Sequence, residues 1–183
     1  MRWRKVLAVS TPQIIVLVTF AGLLFWSVGA YNRLVRLRGA IVRRFVPVHE
    51  QFRQRQAFLQ QQIDAFAAAL PDEADAIVTL RAACQQADAA CAHARERPGS
   101  QQAITSLRLA DEIVGDARAR LPDYSAQGND LTVLNTQLGA ADATLAFARR
   151  QFNEAAIDYN VAVRQFPTSL LVGLFGFRAA GTL

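Results

Sequence analysis

The chain holds only two cysteines and two histidines in 183 residues, with a single methionine. So few sulfur and imidazole groups exclude a disulfide framework and leave little from which a metal centre is made. Cys84 and Cys91 are seven positions apart in sequence that reads as helix, about 10 Å along the axis and too far for a disulfide. They read as small buried apolar residues. His49 and His93 fall on different predicted helices with no cysteine or carboxylate at ligating spacing around either. Gly-x-Ser-x-Gly, a glycine-rich phosphate loop and His-Glu-x-x-His are all missing. Asp64, Asp75, Asp88, Glu96, Asp111, Glu112 and Asp116 are spread along solvent faces. The expectation is a protein that is not an enzyme, without cofactor, metal or small-molecule substrate.

Charge is also scarce, at 19% of residues, and Lys5 is the only lysine. Up to Arg55 the sole acid is Glu50 against ten basic residues, so this part carries +9 and the remainder −4. The positive charge brackets an apolar run of membrane length, which makes lipid head groups its natural counter-charge. Nucleic acid is not the expected partner, because aromatic residues do not interleave with the arginines.

What the chain does have is apolar surface, 52% of residues. No charge occurs between Lys5 and Arg33, and Ile14 to Trp26 form the dense centre of that span. About 20 apolar helical residues cross a bilayer. Pro12 lies where a helix start tolerates it, and Trp3, Trp26 and Tyr31 lie near the two interfaces. The competing reading is a cleaved signal peptide, with Val28-Gly29-Ala30 as the small-residue site. The length of the run and its continuation into Tyr31-Asn32-Arg33 favour a retained anchor. Arg2, Arg4 and Lys5 precede the span, and Arg33, Arg36, Arg38, Arg43 and Arg44 follow it. The excess after the span leans towards a bundle in the cytoplasm.

Beyond the span, alanine, glutamine and arginine dominate and favour helix. The fold class is all-α: a transmembrane helix continuing into an antiparallel bundle of four long helices. Joints are marked at Leu70-Pro71-Asp72-Glu73, Arg97-Pro98-Gly99-Ser100 and Leu121 to Asp130, with Asp72, Ser100 and Asn129 or Asp130 as N-cap candidates. The helices are expected from the membrane to Ala69, from Glu73 to Arg95, from Gln101 to Arg120 and from Asp130 to Phe166. Pro47 is expected to kink the first without ending it, because Ile41, Phe45, Val48, Phe52, Leu59, Ile63 and Phe66 stay in step across it. The organisation is thus an anchor over 1–30, a bundle over 31–166 and an apolar tail over 167–183.

The fourth helix carries a heptad seam: Leu131, Leu134, Leu138, Ala141, Leu145, Ala148, Phe152, Ala155, Tyr159, Ala162 and Phe166. Replacing Leu138 or Leu145 with alanine is expected to be costly, and a change at off-seam Arg149 neutral. The first and fourth helices have similar lengths, so the fourth returns to the level at which the first leaves the membrane. Setting Tyr31 opposite Phe166 then brings Arg38, which shares the first helix's seam with Arg55, near Asp158 or Tyr159, and Arg55 near Asp142. In one reading these are buried pairs that specify register; in the other, both guanidiniums snorkel to solvent.

Two blocks carry a family resemblance. One runs from Phe147 through Asn153-Glu154, Asp158-Tyr159-Asn160 and Phe166-Pro167 to Phe177; the other is Tyr31 to Arg38, followed by Gln51 and Arg55. In this order they resemble the LemA family over roughly Ala30 to Phe177. The chain departs from the family pattern at Leu59-Gln60-Gln61 and at His49. The resemblance implies a single-pass membrane protein with a bundle of long helices, and a membrane or envelope protein as partner; it supplies no catalytic residues.

The functional expectation is therefore an interaction or scaffold protein of the bacterial inner membrane. Its lipid contacts are Arg33, Arg36, Arg38, Arg43 and Arg44, with Leu170, Leu171, Leu174, Phe175 and Phe177 from the tail. The alternative is a membrane-remodelling or envelope-stress factor acting on lipid through the same tail and arginines. A tail folded back over the bundle's own end competes with docking on the bilayer.

Overall fold

A computed structural model describes residues 11–69, 74–121 and 129–183. Pro71 and Asp72 of the first joint, residues 122–128 of the third, and Arg2, Trp3, Arg4 and Lys5 lie outside them. The described elements are all helical: α1 (Thr11–Ala69), α2 (Ala74–Glu96), α3 (Gln101–Ala119), α4 (Asn129–Arg164) and a short α5 (Thr168–Phe175). The four long helices and their order are those expected from the Pro- and Gly-marked joints.

Helix α1 has 59 residues and runs through Pro47, so it is about 90 Å long. Its first third has no protein around it: Ile15, Val16, Leu17, Val18, Phe20 and Phe25 are all exposed. From Leu34 onward a single stripe turns inward, comprising Leu34, Ile41, Phe45, Val48, Phe52, Leu59, Ile63 and Phe66. Of the apolar positions expected on the bundle face of α1, all from Leu34 onward are buried, while Tyr31 at its start is exposed. Helix α4 lies antiparallel against this stripe. The register is given by Gln62 with Asn135, Arg55 with Asp142 and Phe45 with Phe152, which step by seven and then ten residues along both helices. That is the register obtained by setting Tyr31 opposite Phe166.

In the seam of α4 the Leu131 side chain lies outside the described ones and Leu134 is half-buried; from Leu138 the heptad holds until the second half of the helix. Leu138, Ala141, Leu145, Ala148, Phe152, Tyr159 and Ala162 are buried, but Ala156 takes the core position expected for Ala155, which is half-buried. A straight α-helix drifts about 20° per heptad away from a strict seven-residue repeat, enough over three heptads to move the stripe by one position. Phe166, placed at the end of the seam, is 76% exposed. The helix ends at Arg164, so the chain has left its axis two residues earlier than the sequence suggested.

Helices α2 and α3 form a second hairpin. Ser100, one of the expected caps, accepts a hydrogen bond from Ala103 N at 3.4 Å, satisfying one of the donors a helix start leaves open. Alanine at 83, 87, 94, 103, 110 and 117 is buried between the hairpin and its neighbours, and such small side chains let helices approach closely. Helix α2 also packs on α1. Helix α3 does not close on α4: among the described residues no Cα of one comes within 8 Å of a Cα of the other. Two features fill that gap.

In the half nearer the apolar span, the gap is filled by residues 177–183. Gly176 closes α5 in the left-handed conformation, φ 67°, which glycine adopts without steric cost. The chain then runs back along α4 with no regular structure of its own. Asn160 and Asn153 hold it through paired side-chain hydrogen bonds at Ala180 and Leu183. Ala180 and Gly181 are buried, and Gly181 lies against the first turn of α3. In the other half, the gap is bridged by arginine and aspartate side chains from α1, α3 and α4.

Candidate membrane-facing site and polar network

The exposed part of α1 is apolar on every side. Among the described residues it is the one helix long and apolar enough to cross a membrane, with a mean hydropathy of 2.1 over its best 18 residues, 6% of them buried. A helix without a polar face in water has no partner there and finds one in hydrocarbon.

Where that stretch ends, the tail returns. Tyr31 contacts Phe175 with ring centroids 5.1 Å apart and Phe177 at 5.8 Å. Helix α4 therefore does bring the chain back to the exit of α1. Leu170, Leu174 and Phe175 of α5 are exposed, and Leu171 and Val172 are half-buried. Together with Phe166 and the outer surface of Tyr31 they form an apolar collar beside the span. Phe177 does not belong to it. Expected at the lipid surface, it is 9% exposed and sits in the bundle core, because the left-handed turn at Gly176 redirects the chain inward. The tail thus divides: α5 presents apolar side chains outward, and the segment after it folds onto protein.

The five arginines after the span, Arg33, Arg36, Arg38, Arg43 and Arg44, are all exposed. Arg33 donates to Gln165 Oε1 at 3.3 Å and Arg44 to Gln151 Oε1, so two of them tie α1 to α4. The Arg43 guanidinium folds over Gly39, towards the span. Arg38 faces Tyr159, as the register requires, but remains exposed, so its head reaches solvent while its stem covers the helix. Burial raises the Tyr159 phenol above its ordinary value, opposed by the Arg38 charge and by a hydrogen bond from the backbone of Arg178.

Arg55 behaves in the opposite way. Its side chain is 8% exposed; Nη1 bonds Asp111 Oδ1, and Nε lies 2.6 Å from Asp142 Oδ1, at an angle poor for a hydrogen bond. The Asp142 contact is the one expected from register. Asp111 comes from α3 and could not be anticipated without knowing how α3 is turned. Arg149 completes the network, with Nη2 2.8 Å from Asp111 Oδ2, and Arg118 lies 3.2 Å from Asp142 Oδ2. Arg149 is therefore not the neutral off-seam residue the heptad implied. It points sideways to α3, where an aspartate waits across the gap.

A third polar group lies between α1 and α2. Gln56 donates to Cys84 O and to Asp88 Oδ1, both at 3.0 Å. Burial, reinforced by the Asp88 charge, pushes the Cys84 thiol up to about 11 and the Cys91 thiol up to about 12. Burial and the nearby Arg95 and Arg53 lower His49. These shifts favour neutral, unreactive groups. Among the described residues no group of three His, Cys, Asp or Glu is placed to hold a metal ion.

Residues 45–183, well over half of the chain, match the LemA family, and the chain belongs to it. The match includes the block from Phe147 to Phe177 and continues through the segment that packs between α3 and α4. The block at Tyr31 to Arg38 lies N-terminal to it. No curated protein and no solved structure matches the chain.

Proposed function

We propose that this LemA-family chain is a single-pass, membrane-anchored helical bundle that serves as an interaction scaffold at the bacterial inner membrane, without catalysis of its own. The observation that carries the reading is the collar at the exit of α1: Tyr31 and Phe175 in contact beside the exposed Leu170 and Leu174, directly beyond an apolar helix without protein around it. Inserted α1 residues and docked α5 residues give the bundle two attachment points, which fix its posture. Arg33, Arg36, Arg38, Arg43 and Arg44 face the lipid phosphates, each contributing about 1 kcal/mol near an anionic surface. Leu170, Leu171, Leu174 and Phe175 enter the interface. The excess of positive charge after the span supports a bundle on the cytoplasmic side. The far part of the bundle, with Val78, Ile113 and Val133 exposed, is offered to another membrane or envelope protein.

The exposed α5 also supports the alternative, in which the collar acts on lipid directly. Photo-crosslinking residues at Val78, Ile113, Val133 and Leu174, in the full chain in native membranes, separate the two. The scaffold reading expects discrete protein adducts from the first three positions and lipid adducts from Leu174. Lipid adducts at Leu174 with no protein adduct from any bundle position would replace the scaffold with the lipid-acting reading. Absence of lipid adducts at Leu174 would remove the docked tail.

A further inference from the structure

The bundle contains two cavities lined by three arginines each, and they are neutralised differently. Around the first, about 560 Å³ between α1, α3 and α4, Arg55, Arg118 and Arg149 meet Asp111 and Asp142, and every guanidinium is paired. The second, about 890 Å³, is lined by Arg38 of α1, Arg97 of the α2–α3 turn and Arg178 of the C-terminal segment, with Glu96 as its one carboxylate. Among the described residues none of these three guanidiniums takes part in an ion pair or a side-chain hydrogen bond. They come from three separate parts of the chain, so helical periodicity does not account for their convergence.

The Arg38, Arg97 and Arg178 side chains are exposed around this cavity; like charges gathered there repel, with solvent weakening the repulsion without removing it. Around the first cavity the fold answers arginine with aspartate. Around the second it leaves a net charge of +2, three arginines against Glu96. Of the other polar groups in the lining, Ser100 caps α3 and the Tyr159 oxygen is held by the Arg178 backbone, while Thr105 and Ser106 add hydroxyls. Gln101 and Gln102 add neutral amides to the lining. Guanidinium forks with amide support suit the several oxygens of a phosphate better than a single point acceptor, and the volume lies within the range of small-ligand sites.

We propose that this cavity binds a phosphate group, carried either by a small soluble ester or by an anionic phospholipid head group. Arg38 is seven residues beyond Tyr31, about 10 Å further along α1, so the cavity lies at the membrane-proximal end, within reach of both sources. The proposal does not depend on the bundle having a protein partner.

The test uses the full chain in an uncharged maltoside detergent. Glycerol 3-phosphate is titrated calorimetrically, and retention of phosphatidylglycerol is counted by native mass spectrometry. The double variant Arg97→Gln/Arg178→Gln is compared with Arg53→Gln/Arg150→Gln, which removes the same charge away from this cavity. Saturable binding of either probe, weakened about tenfold or more in the first variant and unchanged within about twofold in the second, is the expected result. Binding of glycerol 3-phosphate assigns a soluble ester; binding of phosphatidylglycerol alone assigns a lipid. Equal weakening in both variants would reduce the effect to surface charge and overturn the proposal, as would the lack of saturable binding by either probe.

Discussion

Asn160 and Ala180 exchange two hydrogen bonds: Asn160 Nδ2 donates to Ala180 O at 2.9 Å, and Ala180 N donates to Asn160 Oδ1 at 2.8 Å. Asn153 makes the same exchange with Leu183, at 2.7 and 2.8 Å. The two asparagines are two helical turns apart, about 10.5 Å, and three residues of extended chain span about 10 Å. One face of α4 therefore offers side-chain amides spaced to match a three-residue step of extended chain. They satisfy the backbone of a segment that has no sheet to join, which is what allows apolar residues there to be buried.

Asn160→Ala leaves the N–H and C=O of Ala180 without these partners, at a cost of about 1 to 3 kcal/mol. Hydrogen exchange at the amides of residues 180 and 183 is the direct readout, and protection at both should fall while that of core α4 amides is kept. Asn153→Asp should loosen the segment too, because a carboxylate oxygen then faces the Leu183 carbonyl. Unchanged exchange in both variants would mean that packing on α3, not the asparagines, holds the segment.

The Arg55 network makes an asymmetric prediction. Asp111 binds both Arg55 and Arg149, so Asp111→Ala leaves Arg149 without a carboxylate and Arg55 with Asp142 alone, and should cost about 3 to 5 kcal/mol. Arg55→Met should cost much less, since Asp111 keeps Arg149, Asp142 keeps Arg118, and the buried stem is replaced by an apolar one of similar length. Chemical denaturation of the full chain in nanodiscs measures both. Equal destabilisation would show that Arg55 organises the network and is not merely accommodated by it.

The α1 stripe and the register of α1 on α4 were legible because both follow from the spacing of apolar residues along single helices. Even Arg55 with Asp142 was within reach, since register alone sets it. Asp111 was not, because the rotation of α3 about its own axis leaves no mark on the sequence of α1 or α4. Arg149 was misread for the same reason: a heptad separates inward from outward but does not say that a second hairpin covers part of the outward face. The tail is the clearest case. Leu170 to Phe177 reads as one apolar run, but the left-handed Gly176 divides it between solvent and core, and hydropathy carries no record of a turn. Asn153 and Asn160 were visible as parts of a family signature; only the path of residues 177–183 gives them work to do.

Cys84 and Cys91 give a pH prediction. Their thiols are raised from an ordinary 9.0 to about 11 and about 12, so the folded state holds these protons more tightly than the unfolded chain does. The resulting stabilisation is present in full below pH 9 and is lost as pH rises through 11 to 12. At pH 8 the thiolate fraction is lower than that of a free cysteine by about a hundredfold to a thousandfold. Iodoacetamide should label the folded chain at pH 8 slowly or not at all, and label it rapidly in denaturant. Fast labelling of either cysteine in the native chain would mean that the α1–α2 contact opens readily.

The two glycines at 139 and 181 should answer the same substitution with opposite signs. Gly139 sits within α4 with nothing within 4 Å of where a Cβ would be. Alanine there gains helix propensity and removes freedom from the unfolded chain, so Gly139→Ala should stabilise by about 0.5 to 1 kcal/mol. At Gly181 a Cβ would lie 3.0 Å from Ile104 Cβ and 3.1 Å from both Gln101 Cα and Gln101 O. Two of those atoms are backbone in the first turn of α3, which Ser100 caps, so the helix cannot easily give way and the C-terminal segment has to move. Gly181→Ala should therefore cost about 1 to 3 kcal/mol and raise exchange at residues 180 and 183, although the asparagines that hold them are intact. Denaturation midpoints and exchange rates of both variants decide the matter. A neutral Gly181→Ala would mean that the segment is not wedged against α3, and the gap between α3 and α4 would then need another explanation for staying open.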